Sequence, residues 1–237
     1  MENTSSEYPS WYAAPVIARG RTLVMGVGNL TPDSFFDGGR LTSVQAACDH
    51  ALSLMEAGAD VIDLGAESSR PGAAPLDAES EWARLAPVLA SLVKAGAPVS
   101  VDTYHGETAR RALAHGATLI NDISGLRHDP AMVEVIAEYG CPCVVMHMQG
   151  TPQTMQQAPV YEDIVAELLA FFEERIEAAT RAGLLREQLW LDPGFGFGKT
   201  VAHNLTLLRD LDVFLQFGLP ILVGTSNKSM IGAVLDA

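Results

Sequence analysis

The residues with the most chemistry in this sequence lie between Leu189 and Thr200, which read Leu-Trp-Leu-Asp-Pro-Gly-Phe-Gly-Phe-Gly-Lys-Thr. Three apolar residues deliver Asp192 into a loop, and Pro193 forces extended or turning backbone before glycines alternate with Phe195 and Phe197. Glycine at that density lets the backbone approach a ligand closely, and the two phenylalanines offer faces to a flat ring. The ending Gly198-Lys199-Thr200 is also that of a phosphate-cradling loop. Pro193, however, stands where that motif has its first glycine, which excludes it.

Further polar residues follow short apolar runs at Asn29, Asp63, Asp102, Asn121 and His147, and Lys228 follows the last of them. Brought to one mouth, the carboxylates accept paired N–H bonds, the amides match a donor–acceptor edge and the lysine donates to a carbonyl. That set suits a flat heterocycle with several N–H donors and one carbonyl, a guanine-like or pterin-like ring. A single such Asp has a plainer use as the N-cap of the next helix, a reading that weakens when several share a mouth. Oxygen ligands of this kind also suit Mg²⁺, which takes one or two protein groups together with substrate phosphate. No His/Cys spacing suggests zinc, so His147 reads as a hydrogen-bonding or packing residue.

The elements that must position these groups are punctuated by glycine. A helical pattern from Thr42 to Ala57 stops at Gly58, and a strand starts almost at once towards Asp63. Gly96 leads likewise to Asp102, Gly116 to Asn121 and Asp122, Gly140 to His147, Gly183 by a longer link to Asp192, and Gly218 to Gly224. Helical patterns lie between: Ala78 to Ala95, with Pro87 kinking or dividing it, Glu107 to His115, Asp129-Pro130 as cap and first turn running to Tyr139, Tyr161 to Ala182, and Asn204 to about Phe214. Strands alternating with helices imply crossovers and a parallel α/β sheet. Seven strands are predicted, ending near residues 29, 63, 102, 121, 147, 192 and 224. Polar ends on nearly all of them favour a (β/α)8 TIM barrel, whose strand ends converge on one mouth, over an open doubly wound sheet. An eighth β/α unit is missing from this expectation, because Ala237 falls in the seventh helix. Residues 1–20 read as a tail followed by a barrel-closing hairpin, and 21–237 as the barrel.

Composition narrows the class. With 237 residues and 48% hydrophobic content the chain buries a large core without disulfides. A net charge of −14 argues against nucleic acid or an anionic membrane as partner. An anionic substrate therefore needs a metal or local cations, and the only lysines are Lys94, Lys199 and Lys228. Cys48, Cys141 and Cys143 lie in apolar patterns and read as small buried hydrophobes, which suits a reducing cytosol. The N-terminus carries no leader pattern and no run approaches the ~20 apolar residues of a membrane span, so a cytoplasmic location is expected.

The motifs taken together carry a resemblance. Asn29-Leu-Thr-Pro-Asp-Ser-Phe35, Asp63-Leu-Gly-Ala-Glu-Ser-Ser-Arg-Pro-Gly72, Val101-Asp-Thr103, Ile120-Asn-Asp122, Met146-His147, Leu191 to Lys199 and Ser226-Asn-Lys-Ser229 resemble, in order, the dihydropteroate synthase family. The wider set of pterin-binding barrels includes methyltetrahydrofolate methyltransferases, and the first two motifs favour the synthases. The resemblance implies a barrel whose mouth takes a dihydropterin pyrophosphate, from which p-aminobenzoate displaces pyrophosphate to give dihydropteroate.

By position, the resemblance implies that Asp102, Asn121, Asp192 and Lys228 hold the pterin ring, with Met146, Phe197 and Gly224 beside it. Asn29 would serve Mg²⁺ and pyrophosphate. Phe35, Ser69, Arg70, Pro71 and Ser229 would close over p-aminobenzoate. Lys228, Asp102 and Arg70 are the implied catalytic residues, and a homodimer is implied. Ala66, Ser69 and Asn227 depart from common residues of the family, and its Arg-x-His motif on the last strand has no counterpart here. The alternatives are methyl transfer from a folate to a corrinoid protein, and pterin binding without catalysis.

Overall fold

A computed structural model describes residues 21–30, 44–67, 75–226 and 228–235. The expected tail and hairpin over residues 1–20 lie outside them, as do Phe35, Ser69, Arg70, Pro71 and Asn227. The described elements alternate strictly. β1 (Met25–Asn29), β2 (Val61–Gly65), β3 (Val99–Asp102), β4 (Leu119–Asp122), β5 (Cys143–Met146) and β6 (Leu189–Asp192) are separated by α1 (Val44–Glu56), α2 (Ala78–Lys94), α3 (Gly106–Ala114), α4 (Ala131–Tyr139) and α5 (Ile164–Arg181). α6 (Val201–Arg209), a 3-10 turn over Leu211–Phe217 and α7 (Ser229–Leu235) follow. The expected stop signals are real: Gly58, Gly96, Gly116, Gly140, Gly183 and Gly218 all have positive φ, the left-handed backbone that ends a helix without a Cβ clash.

All six strands are parallel, in the order β1-β2-β3-β4-β5-β6. Their register sets the polar ends level, pairing Gly65 with Asp102, Asp102 with Asn121, and Met146 with Asp192. The seventh predicted strand is corrected to an isolated bridge between Leu191 and Ile221. Only two hydrogen bonds hold it, Leu191 N–H to the Pro220 carbonyl at 2.9 Å and Leu222 N–H to the Leu191 carbonyl at 2.8 Å. Pro220 has no N–H to extend the ladder, and among the described residues no strand pairs on its far side. The sheet nonetheless curls. Laid flat, seven segments at ~4.8 Å spacing would put the first and last roughly 29 Å apart. Leu23 just before β1, Met25 at its start and Leu222 after the bridge instead pack on the same cluster of Leu119, Val144 and Trp190. That cluster is the floor of a barrel left open by the hydrogen-bond pattern.

Local boundaries moved where side chains outvote apolar spacing. β2 runs past Asp63 to Gly65, β4 ends at Asp122 and β5 at Met146 rather than His147. Pro87 does not divide α2. α6 starts at Val201 because Thr200 caps it, accepting from His203 N–H at 3.2 Å while Thr200 N–H donates to His203 Nδ1. The main core lies between sheet and helices, where outward Leu64, Val101, Ile120, Val145 and Leu191 meet Leu85, Leu89, Ile136, Leu168 and Phe172.

Candidate active site

Alternation along each strand turns the neighbours of those core residues inward, so that Asp63, Asp102, Asn121, Met146 and Asp192 stand together at the C-terminal ends of five adjacent strands. Asp63, Asn121 and Asp192 are buried. Asn121 Nδ2 donates to Asp63 Oδ2 at 3.0 Å. Asp63 Oδ1 and Asn121 Oδ1 are buried and have no hydrogen-bond partner in the protein. The Ser100 hydroxyl is buried and unpartnered beside them, and buried acceptors of this kind are costly unless a donor reaches them, which a ligand bearing N–H groups would supply.

The charges are strained in the same sense. Burial holds Asp63 above its ordinary carboxylate range, opposed by the nearby Ser100 hydroxyl and then by the Asn121 amide. Burial, then the neighbouring carboxylates of Asp63, Glu81, Asp122 and Glu67, push Asp102 well above it. Asp192 is raised by burial to about 6, although its Oδ1 accepts from Gly194 N–H at 2.7 Å and Lys199 and Lys228 favour its anion. Lys228 faces this acidic group with its Nζ 4.2 Å from the centre of the Phe197 ring, a cation–π contact. A Cβ on Gly196, which has φ +80°, would stand 3.0 Å from Lys228 Cδ, so the glycine makes room for the lysine stem. Met146 and Phe197 share an apolar wall with Ile123, Met148, Met155 and Tyr104.

Behind this ring of groups lies the buried ammonium of Lys199. It meets His147 Nδ1 and the carbonyls of Gly194 and Phe197 at 3.0 Å and the His147 carbonyl at 3.2 Å. Burial lowers its pKa to about 7 and, with Lys199 and Arg127 nearby, lowers that of His147 to about 3. His147 is thus a neutral hydrogen-bonding residue, as its sequence context suggests.

Other predicted residues are placed less closely. Asn29 ends β1 on the exposed side of the mouth, and its Oδ1 and Asp102 Oδ2 flank the open side of Gly65. Among the described residues no group of three His, Cys, Asp or Glu side chains could hold a metal. An exposed amide oxygen beside the mouth instead fits a cation that takes most of its ligands from phosphate and water. Gly224 lies beyond the bridge with open space where a Cβ would be. Ser229 is the first residue of α7.

Sequence reasoning missed a second layer. Tyr104 donates to Glu67 Oε1 at 2.5 Å, and Glu67 Oε2 accepts Leu76 N–H at 3.0 Å. Glu81, on α2 and 1% exposed, accepts from Thr103 Oγ1 at 2.8 Å and contacts His105 Nδ1 at 3.1 Å. These carboxylates fix the residues directly after Asp102. Asp122 caps no helix but accepts from Ser124 and Leu126 N–H, which shapes the loop after its strand.

The pterin binding enzyme family matches residues 25–237. The dihydropteroate synthase of Escherichia coli K12 is 48% identical over 214 residues, 90% of this chain and 76% of that protein. The solved Yersinia pestis dihydropteroate synthase with a sulfonamide drug complex is 43% identical with a TM-score of 0.87, covering 92% of this chain and 79% of that one. The Xanthomonas albilineans enzyme with 4-aminobenzoic acid is 46% identical with a TM-score of 0.84, covering 91% and 77%.

Proposed function

The chain belongs to the pterin-binding enzyme family, and on that premise we propose that it condenses 6-hydroxymethyl-7,8-dihydropterin pyrophosphate with p-aminobenzoate to give 7,8-dihydropteroate and pyrophosphate. The observation that carries the reading is the pair of buried, unpartnered acceptors, Asp63 Oδ1 and Asn121 Oδ1, beside Asp102, Asp192 and Lys228. A pterin offers the N–H donors those oxygens lack and a carbonyl for Lys228. Methyl transfer to a corrinoid protein has no comparable support, since the similarity to synthases runs through about nine-tenths of the chain.

In this reading Asn121 and Asp192 accept the ring's N–H groups, Lys228 donates to its carbonyl, and Asp102 closes the polar edge. Met146 and Phe197 exclude water from its faces. Arg70, Ser69, Pro71, Phe35 and Ser229 are assigned to p-aminobenzoate by resemblance alone. Asn29 would hold Mg²⁺, which with the pyrophosphate bound would neutralise charge on the leaving group. The bond from the methylene carbon to the pyrophosphate oxygen breaks first, the electron pair leaving with pyrophosphate, because the electron-rich dihydropterin delocalises the positive charge. The aromatic amine then forms the new C–N bond and loses a proton to solvent. It is nucleophilic at neutral pH, so positioning supplies most of the catalysis.

Homodimerisation and a cytoplasmic location belong to the same reading. Among the described residues no helix is long and apolar enough to cross a membrane. The test is dihydropteroate formation from the two substrates with Mg²⁺, and after its removal by chelation. Product that appears only with Mg²⁺ is the expected result. Pterin binding without product, at any Mg²⁺ concentration, would make the chain a binding protein.

A further inference from the structure

Lys199 is the part of the glycine-rich stretch to which the proposed reaction gives no role, although Gly198-Lys199-Thr200 ends as a phosphate loop does. It is 4% exposed. An ammonium has three N–H donors. Around this one stand the His147, Gly194 and Phe197 carbonyls and His147 Nδ1, all within 3.2 Å, so no donor is left for a phosphate. The backbone is wound tightly about it. A Cβ on Gly194 would lie 2.0 Å from the His147 carbonyl oxygen, and one on Gly198 2.7 Å from that of Gln149.

Each of these bonds leads back to the mouth. Phe197, held through its carbonyl, carries the ring under Lys228 Nζ. Gly194, held through its carbonyl, donates its N–H to Asp192 Oδ1. His147 donates its N–H to the Asp192 carbonyl at 2.9 Å. We propose that Lys199 is a positioning residue for the ring site: by gathering three carbonyls on one buried ammonium it fixes the Phe197 ring, and through that ring Lys228, in the orientation that grips a flat ligand. This rests on the pterin reading of the site. A buried polar group is tolerable only when its hydrogen bonds are made, and a side chain that cannot reach these carbonyls would leave them without a donor and free the loop to move Phe197.

The test is a double-mutant cycle read by calorimetry on the full chain, using Lys199→Met, Phe197→Ala and the pair. The probes are 6-hydroxymethyl-7,8-dihydropterin pyrophosphate and its phosphate-free alcohol. Lys199→Met is expected to weaken both probes about ten-fold or more, while the KM for p-aminobenzoate moves less than about two-fold. Added to Phe197→Ala it should cost less than about two-fold further, because the lysine acts through that ring. Additive losses, or unchanged affinity, would overturn the proposal. A loss confined to the pyrophosphate compound would make Lys199 a phosphate ligand and overturn it equally. If the methionine variant does not fold, Lys199→Gln, which keeps two donors, takes its place with the same criteria. No pterin binding by the unaltered protein would overturn the reading of the site itself.

Discussion

The outward and inward faces of the strands follow opposite rules. Outward, Leu64, Val101, Ile120, Val145 and Leu191 join the helices in one continuous apolar cluster. Inward, Leu119 and Asn121, Val144 and Met146, and Trp190 and Asp192 pass along each strand from an apolar floor to the mouth. The outward layer is close-packed, and removing atoms from it leaves a cavity. The mouth holds acids raised by burial and oxygens without partners, so it subtracts from stability until a ligand arrives. Stability and recognition are thus separated by one residue of alternation.

The largest expected effect breaks the outward side alone. Phe172 is fully buried, with its ring against Phe171, Phe214 and Phe217. Phe172→Ala should cost about 3–5 kcal/mol in urea denaturation. Calorimetric pterin affinity of the folded fraction should stay within about two-fold, since the mouth is on the other face. A parallel loss of affinity would mean that the two faces are not separable.

Asp192→Asn breaks the inward side. Pterin binding should weaken by about 2–3 kcal/mol, because an amide presents one acceptor where a carboxylate presents two. The stability effect has the opposite sign at neutral pH. With its pKa raised from 3.8 to about 6, folded Asp192 holds its proton more tightly than the unfolded chain does. Its contribution is fully present below about pH 4 and is lost as pH rises through about 6. The variant should therefore flatten the decline in ligand-free stability between those values. An unchanged pH profile would remove Asp192 from the strained set.

The smallest effect tests the frame around both faces. Asp77 caps α2, accepting from Ser80 N–H at 2.8 Å and Ser80 Oγ at 2.9 Å. Asp77→Ala should lower stability by about 1 kcal/mol in the same denaturation assay, with pterin affinity unchanged.

What the sequence made legible was whatever is local. A helix-ending glycine must be followed by a turn, and a short apolar run must end somewhere, so the six stops and the polar strand ends could be found without knowing the fold. Asp192, Asn121 and Asp102 were therefore placed from sequence. Glu67 and Glu81 were not, because their partners Tyr104 and Thr103 lie far along the chain and no spacing links them. The buried setting of Lys199 is not legible in the sequence, since the carbonyls it binds belong to backbone that sequence does not position. The seventh strand looked like the others, because apolar content does not reveal whether a ladder has a partner on both sides.

The three thiols acquire a use from where they sit. Cys48, Cys141 and Cys143 are all free and all within the outward cluster. Burial pushes the Cys141 thiol up to about 12 and, with Asp122 and Cys141 beside it, Cys143 well above its ordinary value. An alkylating reagent needs a thiol it can reach, and the closed strand–helix layer buries all three. The pace of alkylation is therefore a clock for the opening of that layer, and pterin in the mouth slows the clock only by holding the whole fold shut.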